Sequence, residues 1–154
     1  MTRIVTSADP LPEGLALKHA SILRGRNHCF HDSFHLAYIY EDVELVLGFL
    51  HSDSETHPHA WITQGGADID PTNHEQGPRF ALHHWSHEDC KRHVANSPVV
   101  KSLSGEFLRE IVPPRINRAG DIVFTEIGTD GKECLGPVDV ERAAGLRLKL
   151  LGMI

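Results

Sequence analysis

Three side chains in the first half of the chain have the types needed for thiol chemistry: Cys29, His59 and Asp70. A thiolate attacks a carbonyl carbon, an imidazole takes or gives the proton, and a carboxylate fixes the imidazole's tautomer. Histidine is concentrated here. All 12 histidines fall between His19 and His93, and imidazole is the side chain whose ordinary pKa lies nearest neutrality. The other two cysteines offer less. Cys90 lies in the polar run Ser86-His87-Glu88-Asp89-Cys90-Lys91-Arg92-His93, and Cys134 in a short strand-like segment, with no acid or strand motif to support either. The three cysteines form no CxxC pair, so neither a disulfide framework nor a thiolate zinc cage is indicated.

These residues must be positioned by neighbouring elements. Phe30, Phe34, Ala37 and Tyr38 recur at helical spacing after Cys29, which predicts a helix opening at the cysteine. A thiol in a first helical turn meets unpaired N–H groups and the positive end of the helix dipole. The run Val43 to Leu50 reads as a buried strand, and the polar stretch His51 to Pro58 as a loop and substrate-facing rim. His59 to Thr63 and Ala67 to Asp70 bracket Gln64-Gly65-Gly66, a hairpin signal. A two-residue turn at Gln64-Gly65 sets His59 opposite Asp70, on one face of the hairpin. Asp68 shares that face by the two-residue strand period and is the rival orienting acid. Asn27 could join the Cys29 N–H in binding an oxyanion.

Elsewhere, residues 1–12 read as an irregular arm and Leu15 to Leu23 as a short helix ended by Gly25. Arg79 to Trp85 reads as a strand, and Ser86 to Asp89 as a capping box opening a helix to about Ala95. Leu103 to Val112 reads as a helix and Asp121 to Ile127 with Glu133 to Leu135 as a second hairpin, followed by a terminal helix from Val138 to Leu151. Helices, then strands, then a mixture predict an α+β fold in one domain spanning residues 1–154.

Composition narrows the classes. With 15 Lys+Arg against 21 Asp+Glu the formal charge is −6, a poor match to a phosphate backbone. No apolar run approaches the ~20 residues of a membrane span, and the amino-terminal stretch lacks an apolar signal region. The expectation is a cytoplasmic protein with neither nucleic acid nor membrane as partner.

The segments Asn27-His28-Cys29-Phe30, His59-Ala60-Trp61 and Asp70-Pro71-Thr72, in that order, resemble the papain-like superfamily, particularly its transglutaminase-like branch. The resemblance covers residues 27–72. It implies a helix bearing the cysteine packed on an antiparallel sheet, with Cys29 as nucleophile, His59 as base and Asp70 as orienting acid. The implied activity is that of a cysteine peptidase, amidase or acyltransferase without a cofactor, acting on a peptide, a protein or a small amide. Two other classes compete with it. One is a metal-binding protein using His31, His57 and His59, with Cys29 and the His83-His84-His87 group as further donors. The other is a noncatalytic interaction module on the same framework.

Overall fold

A computed structural model describes residues 3–25, 28–52, 55–72, 77–95, 113–123, 126–127 and 133–134. The fold is α+β, and its main element is a six-stranded sheet. Its strands are β1 (Arg3–Val5), β2 (Asp9–Pro10), β3 (Val43–Ser52), β4 (Glu55–Gln64), β5 (Ala67–Asp70) and β6 (Arg79–Trp85), in the order β1-β6-β3-β4-β5-β2. All neighbours are antiparallel except β2 and β5. The helices are α1 (Glu13–Lys18), α2 (Cys29–Ile39) and α3 (His87–Ala95). Two short pairs complete the described residues: β7 (Arg115–Ile116) with β8 (Ile122–Val123), and β9 (Glu126–Ile127) with β10 (Glu133–Cys134).

The expected irregular arm instead belongs to the sheet at both edges. β1 pairs with β6 and β2 with β5, yet only residues 6–8 separate β1 from β2. Four Cα steps reach at most about 14 Å, so the opposite edges of the sheet must lie close together and the sheet must curl. Arg3 reaches across the same gap, donating to both carboxylate oxygens of Asp68 at 2.7 and 2.9 Å.

Strand alternation gives the sheet two apolar faces. One carries Leu45, Leu47, Phe49, Ala60, Ile62, Ile69 and Phe80 and packs with Phe30, Phe34, Leu36 and Ala37 of α2 and with Cys90 and Val94 of α3. The other gathers Val5, Val46, Trp61 and Ala81. Full burial of each large apolar side chain contributes roughly 1.5–3 kcal/mol, so this two-sided packing is a main source of the sheet's stability. Every residue of α2 from Phe30 to Ala37 is buried, wider than the single apolar stripe its spacing suggests. Among its polar residues Asp32 is well satisfied, accepting the backbone N–H groups of Arg24 and Gly25 at 2.9 and 2.8 Å and the His31 ring Nδ1 at 2.8 Å, whereas Ser33 Oγ and His35 Nδ1 are buried without a hydrogen bond among the described residues.

Some boundaries differ from the sequence reading. The first helix begins after Pro12, which stays outside it with an extended ψ of 136°, and ends at Lys18, beyond which residues 19–22 turn. The described residues of the stretch from His51 to Pro58 are ladder, not loop: His51 pairs with Thr56, Leu50 with His57 and Phe49 with Pro58. Pro58 is tolerated because the described pairing of β4 with β5 is confined to residues 62–64, leaving the strand there with one neighbour. The second hairpin is divided, with Ile122 and Val123 pairing to β7 and Glu126 and Ile127 to β10. The Ser86 capping box forms as expected: Ser86 Oγ accepts the Asp89 N–H at 3.1 Å and Asp89 Oδ2 accepts the Ser86 N–H at 2.9 Å. The helices expected at Leu103 to Val112 and Val138 to Leu151 lie outside the described residues. Among the described residues no helix is long and apolar enough to cross a membrane.

Candidate active site

The β4–β5 turn falls one residue later than the sequence reading placed it. Gly65 and Gly66 occupy it with φ of 59° and 80°. A tight hairpin turn with φ positive at both central positions suits two glycines and disfavours Gln64. The register becomes Gln64 opposite Ala67, Thr63 opposite Asp68 and Ile62 opposite Ile69. His59 is therefore not directly opposite Asp70 but diagonal to it on the same face. A diagonal pair remains within reach of long side chains, and the His59 ring Nε2 donates to Asp70 Oδ2 at 2.6 Å.

That bond engages one ring nitrogen. Cys29, at the start of α2, is near enough to the imidazole to favour its protonated form alongside Asp70. The cysteine lies where the sequence reading put it, at the first residue of α2. Its position is set by the loop before the helix, which Asp32 ties down through the Arg24 and Gly25 amides. The imidazole is also fixed from the side, stacked on Trp61 with centroids 6.2 Å apart and planes 22° apart, while His57 meets it edge-on at 6.1 Å.

His59 is 5% exposed and Asp70 2%. Burial by itself disfavours the imidazolium, but the hydrogen bonds and charges of Asp70 and Cys29 outweigh it and push the His59 pKa up to about 9. Burial likewise works against an ionised Asp70, and here too partners prevail: His59 first, then Arg79, hold the carboxyl below its usual range. His59 and Asp70 are thus mutually stabilised charges in a place from which water is largely excluded.

Asp68, the rival acid, is turned to other work. It accepts the Trp61 indole N–H at 2.9 Å and both Arg3 donors, so it fixes Trp61 beneath the His59 ring and closes the sheet. Asn27 lies outside the described residues. Cys90 is buried in the apolar core, and burial, aided by Asp89, pushes its thiol up to about 12. Of the imidazoles considered as metal ligands, His57 meets the His59 ring edge-on, while His31 meets Asp32, His59 meets Asp70, His83 meets the Gly120 carbonyl at 2.9 Å, and His87 meets the Ala37 carbonyl at 2.9 Å. Among the described residues no group of three or more His, Cys, Asp or Glu is placed to hold a metal ion.

Two arginines join the site that sequence reasoning did not single out. Arg79, 1% exposed, donates from Nε and Nη2 to Asp70 Oδ2 at 3.1 and 2.8 Å and from Nη1 to the Gly77 carbonyl at 2.9 Å. Arg115 lies over the Phe30 ring, its guanidinium carbon 5.0 Å from the centroid, and its charge interacts with Cys29. The only signal for Arg79 was a charged residue opening an apolar strand, and nothing in its spacing tied it to Asp70. No family model, curated protein or solved structure matches the chain.

Proposed function

We propose that the protein is a cysteine-dependent hydrolase or acyltransferase of papain-like, transglutaminase-like character, acting on an amide, peptide or related acyl group. The observation that carries this reading is His59, held by Asp70 at one ring nitrogen and influenced by Cys29 from the start of α2. In the proposed cycle the Cys29 thiolate, formed by proton transfer to His59, attacks the acyl carbon and drives the carbonyl electron pair onto oxygen. The Cys29 backbone N–H, in the first helical turn, helps to hold that oxyanion. Collapse of the adduct breaks the C–N bond as the imidazolium protonates the departing nitrogen, and an S-acyl Cys29 thioester remains. Water or an acceptor amine then attacks the thioester. His59 takes the nucleophile's proton, the C–S bond breaks, and the thiolate–imidazolium pair is restored. Throughout, Asp70 holds the ring in one tautomer and offsets its charge.

The test is covalent capture by an acyl-directed electrophile in the wild type and in Cys29→Ala, His59→Ala and Asp70→Ala, with folding checked by circular dichroism. Capture is expected at Cys29 and not at Cys90, and it should fall sharply on loss of His59. Capture at Cys29 that persists undiminished in folded His59→Ala would leave an exposed thiol without a triad.

A further inference from the structure

Asp70 is satisfied from three directions. Its Oδ1 accepts the Thr72 backbone N–H at 3.2 Å, and its Oδ2 accepts His59 together with two donors of Arg79. His59 and Arg79 therefore share one carboxylate oxygen. They arrive from distant strands. β4 and β6 flank β3, and Arg79 crosses to a residue of β5, three ladder steps away on a flat sheet, about 14 Å at ~4.8 Å per step. The curl that brings β1 towards β2 is what lets the guanidinium reach Asp70.

We infer that Arg79 is a positioning residue of this site, one that locks the Asp70 carboxylate in place and, by sharing its charge, limits how tightly His59 holds a proton. The inference rests on the thiol-chemistry reading. His59 and Asp70 are buried and Cys29 half-buried; a thiolate, an imidazolium and a carboxylate together carry a net negative charge, and a buried charge without a partner is strongly unfavourable. Beside Cys29 a positive charge comes from Arg115, and at the buried Asp70 it comes from the Arg79 guanidinium. It also competes with His59 for Oδ2 and repels the imidazolium as a like charge, which weakens the hold of Asp70 on the ring proton. A general acid that must release its proton to a leaving group gains from this restraint. Lysine cannot supply the same two-point hold, because it lacks the planar fork that presents Nε and Nη2 together.

Among the described residues, the other charged and titratable groups acting on or meeting the imidazole are Cys29 from α2, His57 on its own strand and, through Cys29, Arg115 from β7.

The experiment follows the His59 ring by NMR against pH, in protein carrying ¹³C-labelled histidine, for the wild type, Arg79→Gln and Arg79→Lys. Iodoacetamide alkylation of Cys29 is measured beside it. Arg79→Gln is expected to raise the His59 midpoint by about one unit or more, because the pair then keeps its proton without a competing cation. Arg79→Lys is expected to leave the midpoint within about half a unit of wild type, since the charge stays, while alkylation slows severalfold because the fork is lost. An unmoved midpoint in folded Arg79→Gln overturns the inference. If that variant does not fold, Arg79→Lys decides alone: a midpoint displaced by more than about one unit, or a wild-type alkylation rate, overturns it. The thiol chemistry is judged separately by capture at Cys29. A midpoint shift without capture would remove the chemistry and keep Arg79's control of His59, whereas capture without a shift would do the reverse.

Discussion

The His59 environment makes a quantitative statement about stability. Its pKa rises from 6.5 to about 9 on folding, and each unit corresponds to about 1.4 kcal/mol, so the group contributes on the order of 3 kcal/mol. With only 5% of the residue exposed, solvent screening does little to reduce this. The folded state binds the proton more tightly than the unfolded one. The contribution is therefore complete below pH 6.5 and is lost as pH rises through about 9. The perturbation is His59→Gln, and the assay is urea unfolding of both proteins at a series of pH values from about 6 to about 10, where their difference follows the titration of His59 together with the partners it is coupled to. That difference should shrink by about 3 kcal/mol across the window, most steeply at about 1.4 kcal/mol per pH unit. A difference that stays constant with pH would refute the claim that His59 is held as an imidazolium by Asp70 and Cys29.

Three further outcomes follow from the packing and the charges. Gly48→Ala should destabilise the protein by about 3 kcal/mol or more, because a Cβ there would lie 1.9 Å from the Phe80 carbonyl oxygen; a wild-type urea midpoint would contradict the β3–β6 packing. His35 is 4% exposed, and burial, with the neighbouring charges of His19 and His31, lowers its pKa from 6.5 to about 4. The unfolded chain takes up that proton first, so about 3 kcal/mol of stability should disappear as pH falls from 6.5 to about 4; unfolding curves of His35→Gln should show the smaller acid sensitivity, and equal sensitivity would count against it. Ser86→Ala should cost about 1 kcal/mol by removing the cap of α3, read as a lower thermal midpoint, and an unchanged midpoint would mean that the cap adds nothing.

Local rules made much of this architecture legible in the sequence. The helix opening at Cys29, the strands Val43 to Leu50 and Arg79 to Trp85, and the Ser86 cap all follow from periodicity and short-range hydrogen bonding, which depend on neighbours in the chain. The pairing of His59 with Asp70 was readable for the same reason: a tight hairpin brings near in space what is near in sequence. Even there the register shifted, because two consecutive glycines fix the turn more firmly than the spacing of the flanking residues does.

What the sequence by itself determined, then, were the elements that carry Cys29, His59 and Asp70. Only the tertiary structure shows which of Asp70 and Asp68, alike in type and strand phase, meets His59; Arg3 and Trp61 claim Asp68, and Arg79 joins His59 at Asp70. The two arginines, the closing of the sheet by residues 3–10 and the burial of the polar residues of α2 depend on contacts between segments remote in sequence. Such contacts are set by how the sheet curls and by which buried charges find partners, and a linear pattern of residue types carries neither.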